Sequence, residues 1–243
     1  MIGTSQALSL FYPTTIAAIV SWPKFSFTAF KIVSALQRQG IAPKTCLDVG
    51  GNVGQFAVAA AKFWPHCRVE SFEPVPDCAV KLRKNCGRLS INVHEVAVGD
   101  RDGEVPIHVN AHRQSSSILN LGTKHREAFP FATKETTKTV KLVRLDSIFR
   151  NHEFERPVLL KLDIQGYEPE ALRGAAGILS QIDYVLVETS FKPMYEGEML
   201  FTEILSLMQS FGFRFLRPID WLEDPRTGEV LQMDALFAKS AST

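Results

Sequence analysis

Four acids close four apolar runs of this 243-residue sequence: Asp48 in KTCLDVGGNVG, Glu73 in RVESFEP, Asp163 in VLLKLDIQG and Glu188 in DYVLVETS. One acid in that position is common. Four of them, if the runs are parallel strands, converge on the edge where open α/β sheets bind their ligands. Gly50, Gly51 and Gly54 follow Asp48 at once and remove the Cβ atoms that would keep a ligand off the backbone. Glu73 follows Gly50 by 23 residues, the spacing of an acid that ends a second strand and accepts hydrogen bonds from both hydroxyls of a ribose. Together these residues describe a nucleotide site. The turn reads G-G-N-V-G and not G-x-G-x-x-G, which argues against a nicotinamide cofactor. S-adenosylmethionine fits better: it has no pyrophosphate to place on a helix N-terminus, and its amino-acid ammonium suits a nearby carboxylate. Asp48 can serve that cation, or it can hold the turn by accepting backbone N–H bonds.

The elements that would position these residues follow from hydrophobic periodicity. Residues 45–49 read as a buried strand, and a helix with Phe56, Ala57, Ala60 and Phe63 on one stripe begins near Val53. An amphipathic helix over 25–39, stopped at Gly40, precedes this unit. A strand at 68–72, a helix over 77–85 and a third strand running through INVHEVAV to Gly99 and Asp100 continue the alternation. Residues 101–137 break the rhythm: GEVPIHV is a short strand, but the polar remainder has no period and reads as a long loop, the type of segment that serves as a lid or binding loop. KTVKLVRL, VLLKLD and DYVLVETS are further strands, PEALRGAAGIL and 200–211 are helices, and FRFL and DALFAKS are the last two strands with no clear helix between them. The expectation is an α/β protein with a doubly wound, seven-stranded Rossmann-like sheet of the methyltransferase variant. An N-terminal arm and helix (1–40) packs on a single S-adenosylmethionine-binding domain (41–243).

Composition limits the partners. With 27 basic and 26 acidic side chains the formal charge is +1, so no global field draws nucleic acid or anionic lipid to the chain. A 45% hydrophobic and 22% charged composition is that of a folded globular protein. Cys46, Cys67, Cys78 and Cys86 form no C-x-x-C pair and no H-E-x-x-H occurs, so a zinc site is not expected and buried thiols in a cytoplasmic protein are. The first 23 residues are uncharged, too broken by Pro13 for a membrane span and too poor in basic residues for a signal peptide. They read as an arm over the domain or its cleft, with peripheral membrane contact through Leu10, Phe11, Ile16, Ile19 and Trp22 as the rival.

The blocks CLDVGGNVGQFA, VESFEPVPDCAVKLRKN, VAVGDRDGEV, SSSIL, LVRLD, LLKLDIQGYEPEALRGA, VLVETSFKPMYEG and MDALFAK run in one order over residues 44–239. In that order and composition the chain resembles the FkbM-type S-adenosylmethionine-dependent methyltransferases, departing at Gly51, where the family more often has alanine. The resemblance implies methyl transfer to oxygen, often a hydroxyl of a sugar, glycolipid or other small molecule, with S-adenosylhomocysteine as product. The candidate cofactor residues are then Asp48, Gly50, Gly51, Asn52, Gly54, Glu73, Pro74, Ala97, Asp163 and Gln165.

An alcohol oxygen needs a destination for its proton, a general base or a metal. Asp163, Glu168, Glu188 and His112 are the candidate catalytic residues. Asp163 is placed to accept the proton, and Gln165 to orient the acceptor or the methionine moiety. Glu168 can equally cap the loop before Pro169, and Asp163 with Glu188 can hold Mg²⁺, although the spacing does not require it. His112 and His125 titrate in the right range but lie in the long polar segment. Ser115, Ser116 and Ser117 can close over the site, and Tyr195 can line the acceptor side. N-methylation and a noncatalytic nucleotide-binding interaction protein are the alternative functions. The acceptor's identity and any homo-oligomeric state are not written in these motifs.

Overall fold

A computed structural model describes residues 18–110, 116–119 and 135–240. A seven-stranded sheet carries the strands β1 (Thr45–Val49), β2 (Arg68–Phe72), β3 (Ile91–His94), β8 (Val158–Leu162), β9 (Tyr184–Ser190), β10 (Phe213–Glu223) and β11 (Val230–Lys239). Their spatial order is β10-β11-β9-β8-β1-β2-β3, with β11 antiparallel to both neighbours and the other contacts parallel. The order reverses between β1 and β8, and such a switch point opens a crevice beyond the strand C-termini.

Two helical layers cover this sheet. On one face α1 (Phe27–Arg38) and α2 (Gln55–Phe63) pack over Cys46, Val69, Leu159, Leu186 and Leu236. On the other, α5 (Glu168–Gly174) and α6 (Phe201–Ser210) contribute Ala171, Leu172, Ile204 and Met208 to a core with Leu47, Leu160, Val185 and Phe237. Full burial on both faces explains why β1 and β8 are apolar nearly throughout. The helix α3 (Pro76–Cys86) follows β2, and the short α4 (Leu145–Phe149) precedes β8.

The region read as a third strand, the short strand GEVPIHV, a long loop and the strand KTVKLVRL is built differently. The chain leaves the main sheet after His94, and β4 (Ala97–Val98) pairs instead with β7 (Glu135–Val143). With β5 (Gly103–Asn110) and β6 (Ser116–Ser117) these form a second, four-stranded sheet ordered β4-β7-β5-β6. The alternating Val105, Ile107, Val140 and Leu142 give it one apolar face, buried with Val75, Ala97 and Tyr167. Both long strands were legible in the sequence as GEVPIHV and KTVKLVRL; their pairing into a separate sheet was not. The C-terminal hairpin is also longer than expected, extending through Trp221 and Glu223.

Before α1, Trp22 does not point outward. Its ring lies 5.7 Å from Phe30 and 5.8 Å from Phe63, in an aromatic cluster that ties the helical turn at residues 18–21 to α1 and α2. Ile19 is partly exposed, while Leu10, Phe11 and Ile16 lie outside the described residues. Among the described residues no helix is long and apolar enough to cross a membrane.

Candidate active site

The main sheet has a two-residue step from core to chemistry. On the face under α1 and α2, the apolar residues Cys46, Val69, Leu159, Leu186 and Leu236 form a row. Two positions nearer the crevice, on the same face, stand Asp48, Ser71, Lys161, Glu188 and Asp234. Registered pairs join this polar row in two stretches, Ser71 opposite Asp48 opposite Lys161, and Glu188 opposite Asp234 opposite Asp220; between β8 and β9 Lys161 pairs with Leu186, so Glu188 stands two residues farther along its strand. A cavity of about 380 Å³ opens above it, roofed by Ser26, Thr28, Ala29 and Ile32 around the start of α1.

The glycine turn forms one end of the cavity. Gly50 has φ +88°, and a Cβ there would lie 1.9 Å from the carbonyl oxygen of Asp163. Gly50 is therefore required by the close passage of β1 and β8 as well as by any ligand. At Gly51 a Cβ would fall 2.2 Å from the Ser71 hydroxyl, which donates to Asp48 at 2.8 Å. Gly54 caps α2 with φ +95° and does not line the cavity, whereas Gln55 and Phe56 of the first helical turn do.

Glu73 is buried at the cavity wall and accepts the backbone N–H groups of Asn52 at 2.8 Å and Val75 at 2.9 Å, one per carboxylate oxygen. Burial raises its pKa to about 7 against the opposing pull of these two hydrogen bonds. Pro74, Ala97, Val98 and Ile118 make the neighbouring wall apolar.

Lys161 and Asp48 were linked by no motif, yet they form the buried centre of the polar row. Asp48 is fully buried beneath the turn, outside the cavity lining, with Lys161 Nζ 3.5 Å from Oδ1. The Lys161 ammonium also lies 3.2 Å from Asp163 Oδ2 and 5.4 Å from the centre of the Phe56 ring. Burial works against its charge, but Asp163, Asp48 and Asp234 hold its pKa above that of an ordinary lysine.

At the far end of β8 the chain turns sharply. Gln165 adopts φ +60°, a left-handed conformation that costs a non-glycine residue energy and persists where surroundings impose it. Its amide nitrogen donates to Asp163 at 3.1 Å and Glu188 at 3.0 Å, and its amide oxygen accepts the Tyr195 hydroxyl. The Ser117 hydroxyl donates to the Gln165 carbonyl at 3.0 Å, fastening β6 to the same turn. Glu168 spans the inside of the turn, accepting N–H bonds from Ile164 at 2.7 Å and Gly166 at 2.9 Å. That is the loop-capping geometry, and Glu168 is not among the cavity-lining residues.

Gly50, Gly51, Asn52, Glu73, Pro74, Ala97, Asp163, Gln165 and Glu188 all line the one cavity; Asp48, Gly54 and Glu168 stand behind its wall, and His112 and His125 lie outside the described residues. Sequence reasoning passed over Lys161 and Asp234. Both are single charges inside otherwise apolar strands, VLLKL and LQMDALFA, and that anomaly was the available signal. Burial and the nearby Asp163 raise the pKa of Asp234 to about 7 and also push that of Glu188 upward. Among the described residues no group of His, Cys, Asp and Glu has the arrangement of a metal site.

The family model described as "Methyltransferase FkbM domain" matches residues 48–215. The chain belongs to the FkbM methyltransferase family. S-adenosylmethionine is the methyl donor that the sequence motifs imply for it. Over 188 residues it is 27% identical to 2-O-methyltransferase NoeI of Sinorhizobium fredii, covering 74% of this chain and 76% of that protein. It is 28% identical over 143 residues to hexuronic acid methyltransferase AglP of Haloferax volcanii, covering 58% of this chain and 54% of the relative. Methyltransferase sdnD of Sordaria araneosa is 25% identical over 203 residues, with 73% and 77% covered.

The residues present suit the donor. Each Glu73 oxygen retains acceptor capacity beyond its backbone bond, which is what a ribose diol requires. Gln55 and Phe56 of the first turn of α2 line the cavity, and the leading N–H groups of a helix lack intrahelical partners, which suits a carboxylate.

Proposed function

We propose that this methyltransferase acts on a hydroxyl oxygen of a saccharide or another small polyhydroxylated acceptor. The observation that carries the reading is Asp163: its carboxylate stands at the cavity edge between the glycine turn and the Glu188–Asp234 end, fixed by Lys161 on one oxygen and Gln165 on the other. The names of two relatives point the same way, one specifying transfer to oxygen and the other a sugar acid as acceptor.

Bound S-adenosylmethionine supplies a sulfonium-activated methyl group. The chain's part is to hold the acceptor in line with it and to receive a proton. Glu73, the glycine turn and the start of α2 seat the donor. Asp163 accepts the acceptor's hydroxyl proton as the new C–O bond forms, and Lys161 keeps the ionised carboxylate in place until then. Gln165 joins Asp163 to Glu188, so the carboxyl whose pKa is pushed upward lies one amide away from the proton acceptor. Ser26 and Thr28 at the start of α1 bring polar groups to the opposite wall.

The test is a screen of hydroxylated acceptors with purified protein and isotopically labelled donor, read by intact mass and by NMR of the product. A methyl signal on oxygen supports the reading, and one on nitrogen refutes it. With an acceptor in hand, Asp163→Asn should lower turnover by about 10²–10⁴-fold while donor affinity and melting temperature stay near wild type. Turnover close to wild type would remove Asp163 from the role of base.

A further inference from the structure

The acceptor end of the cavity carries an excess of acids that donor binding does not explain. Asp163 adjoins the glycine turn, since its carbonyl is the atom a Gly50 Cβ would strike, so its charge is available to the donor's cationic groups. Glu188 on β9 and Asp234 on β11 lie one and two strands farther out, about 5 and 10 Å away at ordinary strand spacing. They face each other as a registered pair on adjacent antiparallel strands. Among the described residues lining the cavity Lys161 is the one cation, and it is already shared between Asp163 and Asp48. The next acid along the row, Asp220, is matched separately by Lys31 of α1 at 2.7 Å. Among the described residues Glu188 receives only the Gln165 amide, and none donates a hydrogen bond to the Asp234 carboxylate.

We infer that this end of the cavity selects its acceptor by charge, favouring a saccharide that carries an ammonium, accepting a neutral one less well, and excluding one that carries a carboxylate or phosphate. The inference rests on the saccharide reading above and specifies which saccharides. Two facing carboxyls without a counter-ion raise each other's proton affinity, and an ammonium placed between them relieves that repulsion while satisfying both with charge-assisted hydrogen bonds. A neutral sugar hydroxyl can donate to the same oxygens without the Coulomb gain. A uronate adds negative charge to an acidic end that has no spare cation, the type of mismatch by which sites exclude ligands. Burial first and the nearby Asp163 second push the pKa of both groups upward, against Lys161 of β8; the other charges around the pair are Asp220 on β10, Lys31 on α1 and Glu168.

The experiment uses the full chain saturated with S-adenosylhomocysteine, titrated by calorimetry at pH 7.5 with the methyl glycosides of glucosamine, glucose and glucuronic acid. The glucosaminide should bind about tenfold or more tighter than the glucuronide, with the glucoside between them. Asp234→Asn combined with Glu188→Gln should bring the three affinities within about threefold, with S-adenosylhomocysteine affinity unchanged as the control for folding. A glucuronide that binds the wild type as tightly as the glucosaminide overturns charge selection and leaves the saccharide reading standing. Failure of all three glycosides to bind the loaded protein overturns the saccharide reading, and this inference with it. An order of affinities that survives in the double variant assigns the selection elsewhere and removes Glu188 and Asp234 from it.

Discussion

At the scale of single residues, the site depends on charges held where water cannot reach them. On the proposed seating of the donor, Glu73 is the residue whose protonation state matters most, because a ribose diol needs acceptors and a protonated carboxyl has lost one. With its pKa raised to about 7 by burial, donor affinity should weaken by up to about tenfold per pH unit below that value and level off above it. Titrating donor affinity from pH 5.5 to 8.5 measures this, and Glu73→Gln should flatten the profile at a weaker affinity. Glu73→Ala should cost about 1.5–3 kcal/mol of donor binding; an unchanged affinity in a folded variant would move the ribose elsewhere. Lys161 makes a different prediction. Lys161→Met leaves the fully buried Asp48 without a counter-charge, and breaking a buried pair from one side costs about 3–5 kcal/mol of stability. Adding Asp48→Asn to Lys161→Met should restore much of the lost stability, since the stranded charge is then gone. Equal instability of single and double variants by denaturant unfolding would contradict the pair.

At the scale of elements, the close passage of β1 and β8 and the docking of β6 decide whether these residues meet. Gly50→Ala places a Cβ against the Asp163 carbonyl, so it should lower both melting temperature and donor affinity, whereas a glycine needed only for ligand approach would lose affinity alone. Ser117→Ala removes the bond from β6 to the Gln165 carbonyl and should weaken acceptor binding about fivefold with donor affinity unchanged, as expected for one hydrogen bond near a ligand. Acceptor titrations of wild type and variant check this. The same two elements show what was readable in the sequence. β1, the glycine turn and α2 were plain because an apolar run, three glycines and a helical stripe follow one another within twenty residues. β8 and β9 were equally plain from their apolarity, and so were the acids at their ends. The second sheet as a unit was not: β5 and β7 were legible as strands, but β6 is two residues long and the pairing partners are distant in sequence. Lys161 and Asp234 were visible as misfit letters in apolar strands. Their meeting depends on the β8-β9-β11 order, which periodicity does not specify.

At the scale of the whole molecule, the crowded acids should govern how stability varies with pH. Glu73, Glu168 and Asp234 each have a folded-state pKa raised to about 7 by burial, and Glu188 is raised as well. In the unfolded chain these carboxyls titrate near 4. Between those values the native state binds more protons than the unfolded state, so stability falls as pH rises from about 4.5 to about 7.5 and is flat above it. Acids with the opposite shift act in a different window: Glu70, held down by His94, Asn92 and Arg68 against its burial, and Asp224, lowered to about 2 by Arg226, lose their contribution only under more acidic conditions. Lys161, whose pKa is raised by Asp163, Asp48 and Asp234 against its burial, contributes fully only below the ordinary lysine value of about 10 and loses that contribution as pH rises beyond it. The ligand-free protein should therefore be most stable near pH 5 and lose several degrees of melting temperature by pH 8, since about 1 kcal/mol corresponds to about 2–4 °C for a chain of this size. Glu188→Gln with Asp234→Asn should reduce that slope by removing two groups that take up protons on folding. Thermal unfolding of both proteins at half-unit steps from pH 5 to 8 gives the comparison directly. A wild-type melting temperature that rises toward pH 8, or a slope unaltered in the double variant, would show that these carboxyls are already ionised in the native cavity.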